Sequence, residues 1–251
     1  MIELKGIEKS FGSQMVLHNV SCIFETGKVN FIIGKSGEGK SVLTKCMVGL
    51  MPVNAGTITY DGEDFINVDR IEKKKILNNI GMLFQGAALF DSMTVAENIQ
   101  FPMKMFTPMT KKEMEKRTDE ILEQVGLSGK SSLFPSELSG GMKKRTGLAR
   151  AIALNPKYLF VDEPNSGLDP LTSIKIDGLV REITDRYNMT TIVISHDMNS
   201  VIEIADTIQF MSKGEFVWSG DRHSILKSNH PLLNEFVFAS QFMREIKEKF
   251  R

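Results

Sequence analysis

Residues 29–41 read V-N-F-I-I-G-K-S-G-E-G-K-S, a short apolar run followed by a glycine-rich turn. The run that ends at Ile33 has the pattern of a strand buried on both faces. Gly34, four further residues and then Gly39-Lys40-Ser41 match the phosphate loop, in which glycine lets the chain turn sharply and aim backbone N–H groups inward. A helix through Leu43 to Leu50 should follow and present its positive end to the same phosphates. The segment predicts a strand, a nucleotide-binding loop and a helix.

Two side chains of this loop have predicted roles. We expect Lys40 to reach the β- and γ-phosphates and the Ser41 hydroxyl to ligate Mg²⁺. The alternative is a chance glycine-rich turn between a strand and a helix, and the full match with the correct flanks argues against it.

Composition excludes several classes of protein. The 251 residues contain 31 Lys and Arg against 31 Asp and Glu, so no global field attracts nucleic acid or an anionic membrane. No run of 18 apolar residues and no signal-peptide pattern is present, which predicts a cytosolic chain. Cys22 and Cys46 lie far apart without metal-ligand spacing, and neither has a catalytic context.

The order of predicted elements indicates the fold class. Short strand patterns precede and follow the phosphate loop, whereas residues 86–156 are dominated by helix signals, including a capped start at Thr110. Strands return at Tyr158 and Thr190 with a helix between them, and a final hairpin is predicted around Lys213-Gly214. Strands alternating with helices argue for a largely parallel sheet with a helical insert.

Two further motifs suggest phosphate chemistry. Asp162 and Glu163 directly follow an apolar strand, where a carboxylate can hold Mg²⁺ through water and a second one can polarise an attacking water. Ser139 can cap a helix whose first turn contains Gly140 and Gly141, which creates a second anion site or a capped helix with glycines for close packing. The phosphate loop and the helix end at Ser139 are not expected to reach the same nucleotide within one chain. A second anion site of this kind therefore suggests an active site built from two chains.

Six motifs resemble, in order and approximate spacing, the nucleotide-binding subunit of ABC transporters over about residues 1–220. They are Gly34–Ser41, Gln85, Leu138–Met142, Asp162-Glu163-Pro164, Ser166-Gly167-Leu168-Asp169 and His196. Met142 stands where the family usually has Gln, and Asn165 where it often has Thr or Ser, but neither position holds a ligand essential to the family's chemistry.

The resemblance implies an α/β P-loop NTPase fold with a mostly parallel sheet and an N-terminal antiparallel β subdomain. The nucleotide-binding domain would span residues 1–220, with a helical subdomain inserted at about 86–156, and residues 221–251 would form a C-terminal helical extension. The cofactors implied are ATP and Mg²⁺.

The resemblance also implies the site residues. The catalytic residues would be Glu163, His196, Lys40 and Gln85, and the Mg²⁺ ligands Ser41, Gln85 and Asp162. The ATP-binding residues would be Phe11, Gly34, Lys35, Ser36, Gly37, Glu38, Gly39, Lys40, Ser41, Val42, Ser139, Gly140, Gly141 and Asp169. By sequence alone Phe11 is equally a core aromatic or an exposed ring for adenine, and the resemblance favours the ring. Ser139 and Gly141 would bind ATP held by a second copy of the chain, and Asp169 would couple the two sites.

Residues 84–103 lie where the family's ATPases dock their permease. Here Asp91-Ser92-Met93 and Phe101-Pro102-Met103, with Met142, resemble the MlaF-type ATPases of phospholipid transport. That resemblance implies a multispanning permease, an MCE-type lipid-shuttling protein and a place on the cytoplasmic face of the inner membrane. It leaves open whether a small regulatory subunit binds the ATPase, and it implies no nucleic-acid partner. The alternatives are an amino-acid or small-solute importer, a soluble non-transport ABC ATPase, and a phosphate-loop kinase or switch.

Two surface features complete the expectations. The basic residues after the signature segment (Lys143, Lys144, Arg145 and Arg150) are interpreted as a solvated helix face. Apolar residues recur every three or four positions from Leu232 to Phe250, which predicts an amphipathic helix that packs on its own domain or grips a partner.

Overall fold

A computed structural model describes residues 1–239 and 241–249 and contains two β-sheets surrounded by helices. The strands are β1 Ile2–Phe11, β2 Gln14–Phe24, β3 Val29–Ile33, β4 Ala55–Tyr60, β5 Glu63–Asp64, β6 Ile80–Leu83, β7 Tyr158–Asp162, β8 Thr190–Ile194, β9 Thr207–Ser212 and β10 Glu215–Gly220. The helices are α1 Lys40–Met47, α2 Arg70–Leu77, α3 Val95–Phe106, α4 Lys111–Gln124, α5 Gly140–Ala151, α6 Pro170–Tyr187, α7 Met198–Ile204, α8 Ser224–Lys227, α9 Pro231–Val237 and α10 Gln241–Lys249. Helix α1 ends before Leu50, earlier than predicted.

The larger sheet has six strands in the order β10-β9-β3-β8-β7-β6. Strand β3 pairs in parallel with β8 and β9, and β7 pairs in parallel with β6 and β8, while β10 is antiparallel to β9. The carboxyl ends of the parallel strands therefore meet at one edge of the sheet. The predicted mostly parallel sheet is confirmed, and its carboxyl edge is where the site lies.

Alternating side chains of β3 enter two separate cores because successive residues of a strand face opposite sides of a sheet. Phe31 and Ile33 pack with α5 and α6 residues in one core, whereas Ile32 packs with α1 and the antiparallel sheet in the other. All five residues of β3 are buried, as the continuous apolar run predicts. The phosphate loop thus starts from a strand that is buried along its whole length.

The smaller sheet, in the order β2-β1-β4-β5, is antiparallel throughout and confirms the predicted N-terminal β subdomain. The turn between β4 and β5 is the predicted Asp61-Gly62, and both residues have positive φ angles, of 51° and 88°. A two-residue hairpin turn with two positive φ angles favours Asp-Gly.

Every regular element between β6 and β7 is helical, as the sequence predicts. Thr94 and Thr110 each cap a helix in a complete capping box, with Glu97 and Glu113 as the returning carboxylates. A short 3₁₀ turn at Pro135–Glu137 leads into α5.

The predicted single tail helix is wrong, because α9 ends at Val237 and α10 begins only at Gln241. Leu233, Val237 and Phe238 belong to the main core, while Leu232, the first residue of the predicted stripe, is exposed. The break after Val237 shifts which positions face inward, so a single helical period does not describe the tail. The side chain of Ile246 and all of Phe250, both in the predicted stripe, lie outside the described residues.

Candidate functional site

The phosphate loop forms one wall of a cavity of about 530 Å³ at the carboxyl edge of the large sheet. The cavity unites residues that are distant in sequence: Val16, Lys35, Ser36, Gly37, Gly39, Lys40, Ser41, Val42, Gln85, Asp162, Glu163, Ile194, His196 and Phe236. Gly34 has a φ of 152°, and a Cβ there would lie 2.3 Å from the carbonyl oxygen of Met211. Only glycine therefore lets the loop pass this close to β9.

Lys40 is almost fully buried behind the loop. Its ammonium donates to the carbonyls of Gly34 and Lys35, each at 2.7 Å, so the lysine closes the loop on itself. Burial lowers the pKa of Lys40, and the nearby carboxylates Glu163, Glu38 and Asp162 oppose that shift. The side chain is a fixed cation that lines the cavity, and its role as a phosphate ligand stays a prediction.

Asp162 is the last residue of β7 and Glu163 follows it, and both line the cavity that contains the phosphate loop. Burial, followed by repulsion from Glu163, raises the pKa of Asp162, while Lys144, Lys45 and Lys40 lower it. Glu163 has a φ of 46°, a left-handed conformation that is uncommon for a residue with a side chain. Such strain is typical of functional positions that the surrounding fold holds in place.

His196 follows β8 and lies beside Glu163. Its Nδ1 is 2.8 Å from Glu163 Oε1, the imidazole is 67% exposed, and the Glu163 side chain is only 15% exposed. With Nδ1 protonated, the imidazole donates to the carboxylate and leaves Nε2 without a proton, able to accept a hydrogen bond. The two residues, 33 positions apart, form one polar pair.

Gln85 follows β6 and lines the same cavity. Its side-chain amide lies 3.5 Å from the Ser166 hydroxyl, so Gln85 contacts the loop that leads from Glu163 to α6. The four predicted catalytic residues, Lys40, Gln85, Glu163 and His196, are therefore brought together by four parallel strands.

The signature segment lies away from this cavity. Ser139 caps α5 by accepting from the Met142 N–H at 3.3 Å, and the serine is exposed. Gly141 packs so close to α6 that a Cβ would lie 2.5 Å from a Thr172 methyl group. Asp169 caps α6, accepting from the Thr172 N–H at 3.0 Å and its hydroxyl at 2.6 Å. Ser139, Gly140, Gly141 and Asp169 thus do not line the cavity that contains the chain's own phosphate loop.

Three other predicted ATP-binding residues also lie outside the lining of this cavity. Phe11 is 47% exposed at the end of β1, with the Lys9 ammonium 5.2 Å from its ring, so it is a surface ring rather than a core aromatic. The Glu38 carboxylate accepts from the Lys213 N–H and so turns toward the β9–β10 hairpin. Gly34 is buried beneath the loop.

The C-terminal extension contributes residues that the sequence did not predict. Phe236, on α9, lines the cavity together with Glu163 and His196. Glu235 forms an ion pair of 2.6 Å with Lys35 of the phosphate loop, which raises the pKa of Lys35 and lowers that of Glu235. Lys35 and Glu235 are 200 residues apart in sequence, and no local sequence pattern predicts that they form a pair.

The predicted solvated basic face is wrong for three of its four members. Arg150 donates to the carbonyls of Ala87 and Ala88, each at 2.7 Å, and Arg145 donates to the Gly126 carbonyl at 3.0 Å. Lys144 is 5% exposed and donates to the carbonyls of Gln85 and Glu163. The reason is that these side chains lie beside backbone carbonyls that need donors. The carbonyls belong to the loops after β6 and β7 for Lys144 and Arg150, and to the turn after α4 for Arg145.

Asn165 departs from the residue type of the resembling family and has its own role in the fold. Its side-chain amide donates to Asp177 at 2.9 Å and to Ser200 at 2.8 Å. Burial raises the pKa of Asp177, and the hydrogen bonds that its carboxylate makes with Ser200 and Asn165 partly offset that rise. Asn165 thus ties the loop after Glu163 to both α6 and α7.

The cavity fits a nucleotide triphosphate with Mg²⁺. Gly37 has open space around it, Ser41 is exposed to the cavity, and Lys40 is the buried cation. Among residues 1–239 and 241–249 no group of three or more His, Cys, Asp or Glu side chains could hold a metal ion by itself. Mg²⁺ suits such a site because it is usually bound by one or two carboxylates, a hydroxyl or water, and substrate phosphates.

The sequence is similar to the ATP-binding proteins of known transporters. Residues 17–166 match the family profile described as "ABC transporter". The chain is 37% identical over 236 residues to "Probable ribonucleotide transport ATP-binding protein mkl" of Mycobacterium leprae, covering 94% of this chain and 68% of that protein. It is 39% identical over 242 residues to "Methionine import ATP-binding protein MetN" of Geobacillus kaustophilus, covering 94% and 70%. The chain therefore spans about two thirds of the length of these relatives.

Solved structures give the same result. The dimeric MJ0796 bacterial ABC transporter cassette superposes with a TM-score of 0.81 at 30% identity, over 88% of this chain and 99% of that one. The same cassette in a post-hydrolysis state bound to ADP and Pi gives a TM-score of 0.80. The cbiO1 chain of Clostridium perfringens, at 24% identity and a TM-score of 0.84, shares the fold over 99% of this chain. The chain belongs to the ABC transporter family and is an ATPase cassette that binds ATP with Mg²⁺.

Proposed function

We propose that the chain powers a phospholipid transporter by hydrolysing ATP on the cytoplasmic face of the inner membrane, docked peripherally on a separate multispanning permease. The described residues contain no helix that is long and apolar enough to cross a bilayer. The observation that supports the phospholipid substrate is the resemblance of residues 84–103 to the ATPases of phospholipid transport.

In the proposed chemistry, Glu163 is the general base for the water that attacks the γ-phosphorus. Its carboxylate is largely buried and is held by His196, and both line the cavity opposite Lys40. Lys40 would hold the β- and γ-phosphates, and His196 would contact the γ-phosphate through Nε2 and keep Glu163 oriented. Mg²⁺, held by Ser41, Gln85 and Asp162, would neutralise charge on the phosphate oxygens.

The site is proposed to be completed by a second copy of the chain. Ser139 and Gly141 form a helix N-terminus with an exposed capping serine, and they do not line their own chain's phosphate cavity. A head-to-tail dimer would bring this helix end onto the partner's nucleotide, where its N–H groups favour a phosphate. Asp169, exposed at the start of α6, would contact the partner near the same interface.

An apolar groove supports permease docking. We define the docking groove by Phe84, Phe90, Phe101, Pro102 and Phe106, which line a cavity of about 480 Å³ between α2, α3 and α5. Phe106 is 52% exposed and Phe90 is 40% exposed, which is unusual for rings clustered in one place. A permease helix with apolar side chains fits such a groove.

The first experiment tests the chemistry and the dimer. Glu163→Gln is expected to bind ATP without hydrolysing it, because the amide cannot take a proton from water. The variant should sediment as a dimer with ATP and Mg²⁺ and as a monomer with ADP. Hydrolysis within a few-fold of the unchanged protein would remove Glu163 as the base, and a variant that stays monomeric with ATP, both alone and with its permease, would refute the two-chain site.

The second experiment tests the substrate by purifying the complex from the chain's own cell and identifying its proteins and lipids. We expect a permease, an MCE-type protein and bound phospholipid, and a small regulatory subunit would appear in the same preparation. Phe106→Glu should release the chain from the permease, whereas Ile23→Glu, at an equally exposed site on β2, should not. Recovery with an amino-acid permease and a soluble binding protein, without phospholipid, would contradict the proposal.

One observation favours a second candidate, an importer of amino acids or other small solutes. The identity to proteins named for methionine import is 37–40%, equal to or above the 37% identity to the Mycobacterium leprae protein named for ribonucleotide transport. The same purification distinguishes the two candidates, because each predicts a different set of partners.

A further inference from the structure

We propose that Lys144 is a positioning residue for ATP hydrolysis: from the signature helix α5, its ammonium fixes the backbone of Gln85 and Glu163 at once. This inference rests on the proposed roles of Glu163 as base and of Gln85 as a ligand near the γ-phosphate. It adds a residue that the family motifs do not include.

The contacts of Lys144 are specific. The side chain starts in the middle of α5, is 5% exposed, and reaches between the loops that follow β6 and β7. Its ammonium donates to the carbonyl of Gln85 and, at 2.9 Å, to the carbonyl of Glu163. One charged group therefore joins two residues that are 78 positions apart in sequence and lie on the same wall of the nucleotide cavity.

Lys144 has no ion-pair partner within 4.0 Å among the described residues, although two carboxylates lie near it. Burial lowers its pKa, and Asp162 and Glu163 oppose that shift through space. A buried ammonium is costly unless its donors are satisfied, and here backbone carbonyls satisfy them. A long apolar residue would fill the same space but would remove the donor from both carbonyls, so the lysine does more here than pack.

The carbonyl of Glu163 is the point where a fixed backbone matters most. Glu163 has a left-handed φ of 46°, and its N–H donates to Ile194 of β8 at 2.9 Å. With the N–H held by β8 and the carbonyl held by Lys144, the peptide planes on both sides of the residue are fixed. The direction of the carboxylate, and its 2.8 Å contact with His196, follow from that backbone.

The same helix holds the rest of the segment after β6. Arg150, further along α5, donates to the carbonyls of Ala87 and Ala88. Gly147 of α5 packs against the end of β6, so closely that an added Cβ would lie 2.7 Å from a Leu83 methyl group. Ser139 caps the N-terminus of helix α5. A shift of α5 when Ser139 binds a partner's nucleotide would therefore move the carbonyls of Gln85 and Glu163 with it.

The experiment compares Lys144→Met with Lys143→Met, the preceding lysine on the same helix, which is partly exposed. For Lys144→Met we expect kcat to fall at least tenfold while the KM for ATP stays within threefold, because the nucleotide contacts remain and only the alignment of Glu163 and Gln85 is lost. Lys143→Met should keep the unchanged kcat. Lys144→Arg should recover part of the rate, since a guanidinium can donate to both carbonyls.

Hydrolysis by Lys144→Met within threefold of the unchanged protein would overturn the inference, and so would a loss confined to KM. If Lys144→Met does not fold, kcat is compared between Lys144→Arg and Lys144→Gln at a temperature where both are folded, and equal rates would overturn the inference. Glu163→Gln separates this outcome from the proposed function. An active Glu163→Gln refutes the proposed base, whereas an inactive Glu163→Gln beside an active Lys144→Met refutes only the role of Lys144.

Discussion

Replacing Asn98 by alanine tests how the segment that leads into the docking groove is held in shape. Asn98 lies in the first turns of α3 and is fully buried. Its Oδ1 accepts from the Phe90 N–H at 2.9 Å, and its Nδ2 lies 3.0–3.1 Å from the carbonyls of Phe90, Met93 and Thr94. One side chain thus closes the loop between Phe90 and Thr94.

The expected cost follows from these contacts. The side-chain amide has two N–H groups and one carbonyl oxygen, so it can make about three full hydrogen bonds here. At roughly 1 kcal/mol for each bond, Asn98→Ala should lower the free energy of unfolding by about 3 kcal/mol. Locally, the Phe90 amide should exchange with solvent on the order of 100-fold faster, since about 1.4 kcal/mol corresponds to a factor of ten.

Urea unfolding measures the global loss, and hydrogen exchange of the Phe90 amide measures the local one. Lys104→Ala is the matched control, because Lys104 is an exposed residue on the same helix. The control should change the free energy of unfolding by no more than about 0.5 kcal/mol. A stability for Asn98→Ala within that range, with an unchanged exchange rate at Phe90, would refute the account of this loop.

Three further changes test other parts of the fold and site. Lys40→Ala should abolish hydrolysis by removing the cation that closes the phosphate loop, a loss on the order of several kcal/mol of transition-state stabilisation, and measurable turnover in a phosphate-release assay would contradict this. Truncation after Asp221 should lower the melting temperature, because it removes Leu233 and Val237 from the main core; an unchanged melting temperature would mean that the extension contributes no stability. Glu113 accepts two hydrogen bonds at the start of α4, which lower its pKa below the ordinary value of 4.5, so its contribution to stability is present above pH 4.5 and is lost as pH falls through the lowered pKa. Glu113→Gln should therefore be less stable than the unchanged protein at pH 7 by acid–urea titration, with the difference shrinking below pH 4; a constant difference would contradict the reasoning.

Local chemistry explains why so much of the fold could be predicted. The phosphate loop depends on glycine conformations and on a helix N-terminus within a few residues of each other, and the capped start at Thr110 depends on a carboxylate three residues later. The alternation of strands and helices predicts the mostly parallel sheet, because parallel strands need crossover helices between them. Among the site residues, Lys40, Gln85, Asp162, Glu163 and His196 could be predicted by motif, and the structure brings all five into one cavity.

The surfaces of the helices were harder to predict, because a charged residue has the same local pattern whether it faces water or a set of backbone carbonyls. Lys144, Arg145 and Arg150 were expected in solvent, and each instead donates to a loop carbonyl. The tail was misassigned for a related reason. The helical period was correct over short stretches, but the break after Val237 resets it, and the face that becomes buried depends on the core beneath it.

Local sequence is enough to identify the residue types of the site: a glycine loop with a lysine, two consecutive carboxylates after a strand, and a helix that begins after a capping serine. Each of these motifs acts through neighbours that are close along the chain, so its chemistry can be inferred without knowing the fold. Which of these motifs come into contact depends on the tertiary structure. Three contacts depend on strand order and helix packing: the 2.8 Å contact between Glu163 and His196, the ion pair between Lys35 and Glu235, and the hydrogen bonds from Lys144 to two loops. Strand order and helix packing follow from the burial of apolar residues that are distant in sequence.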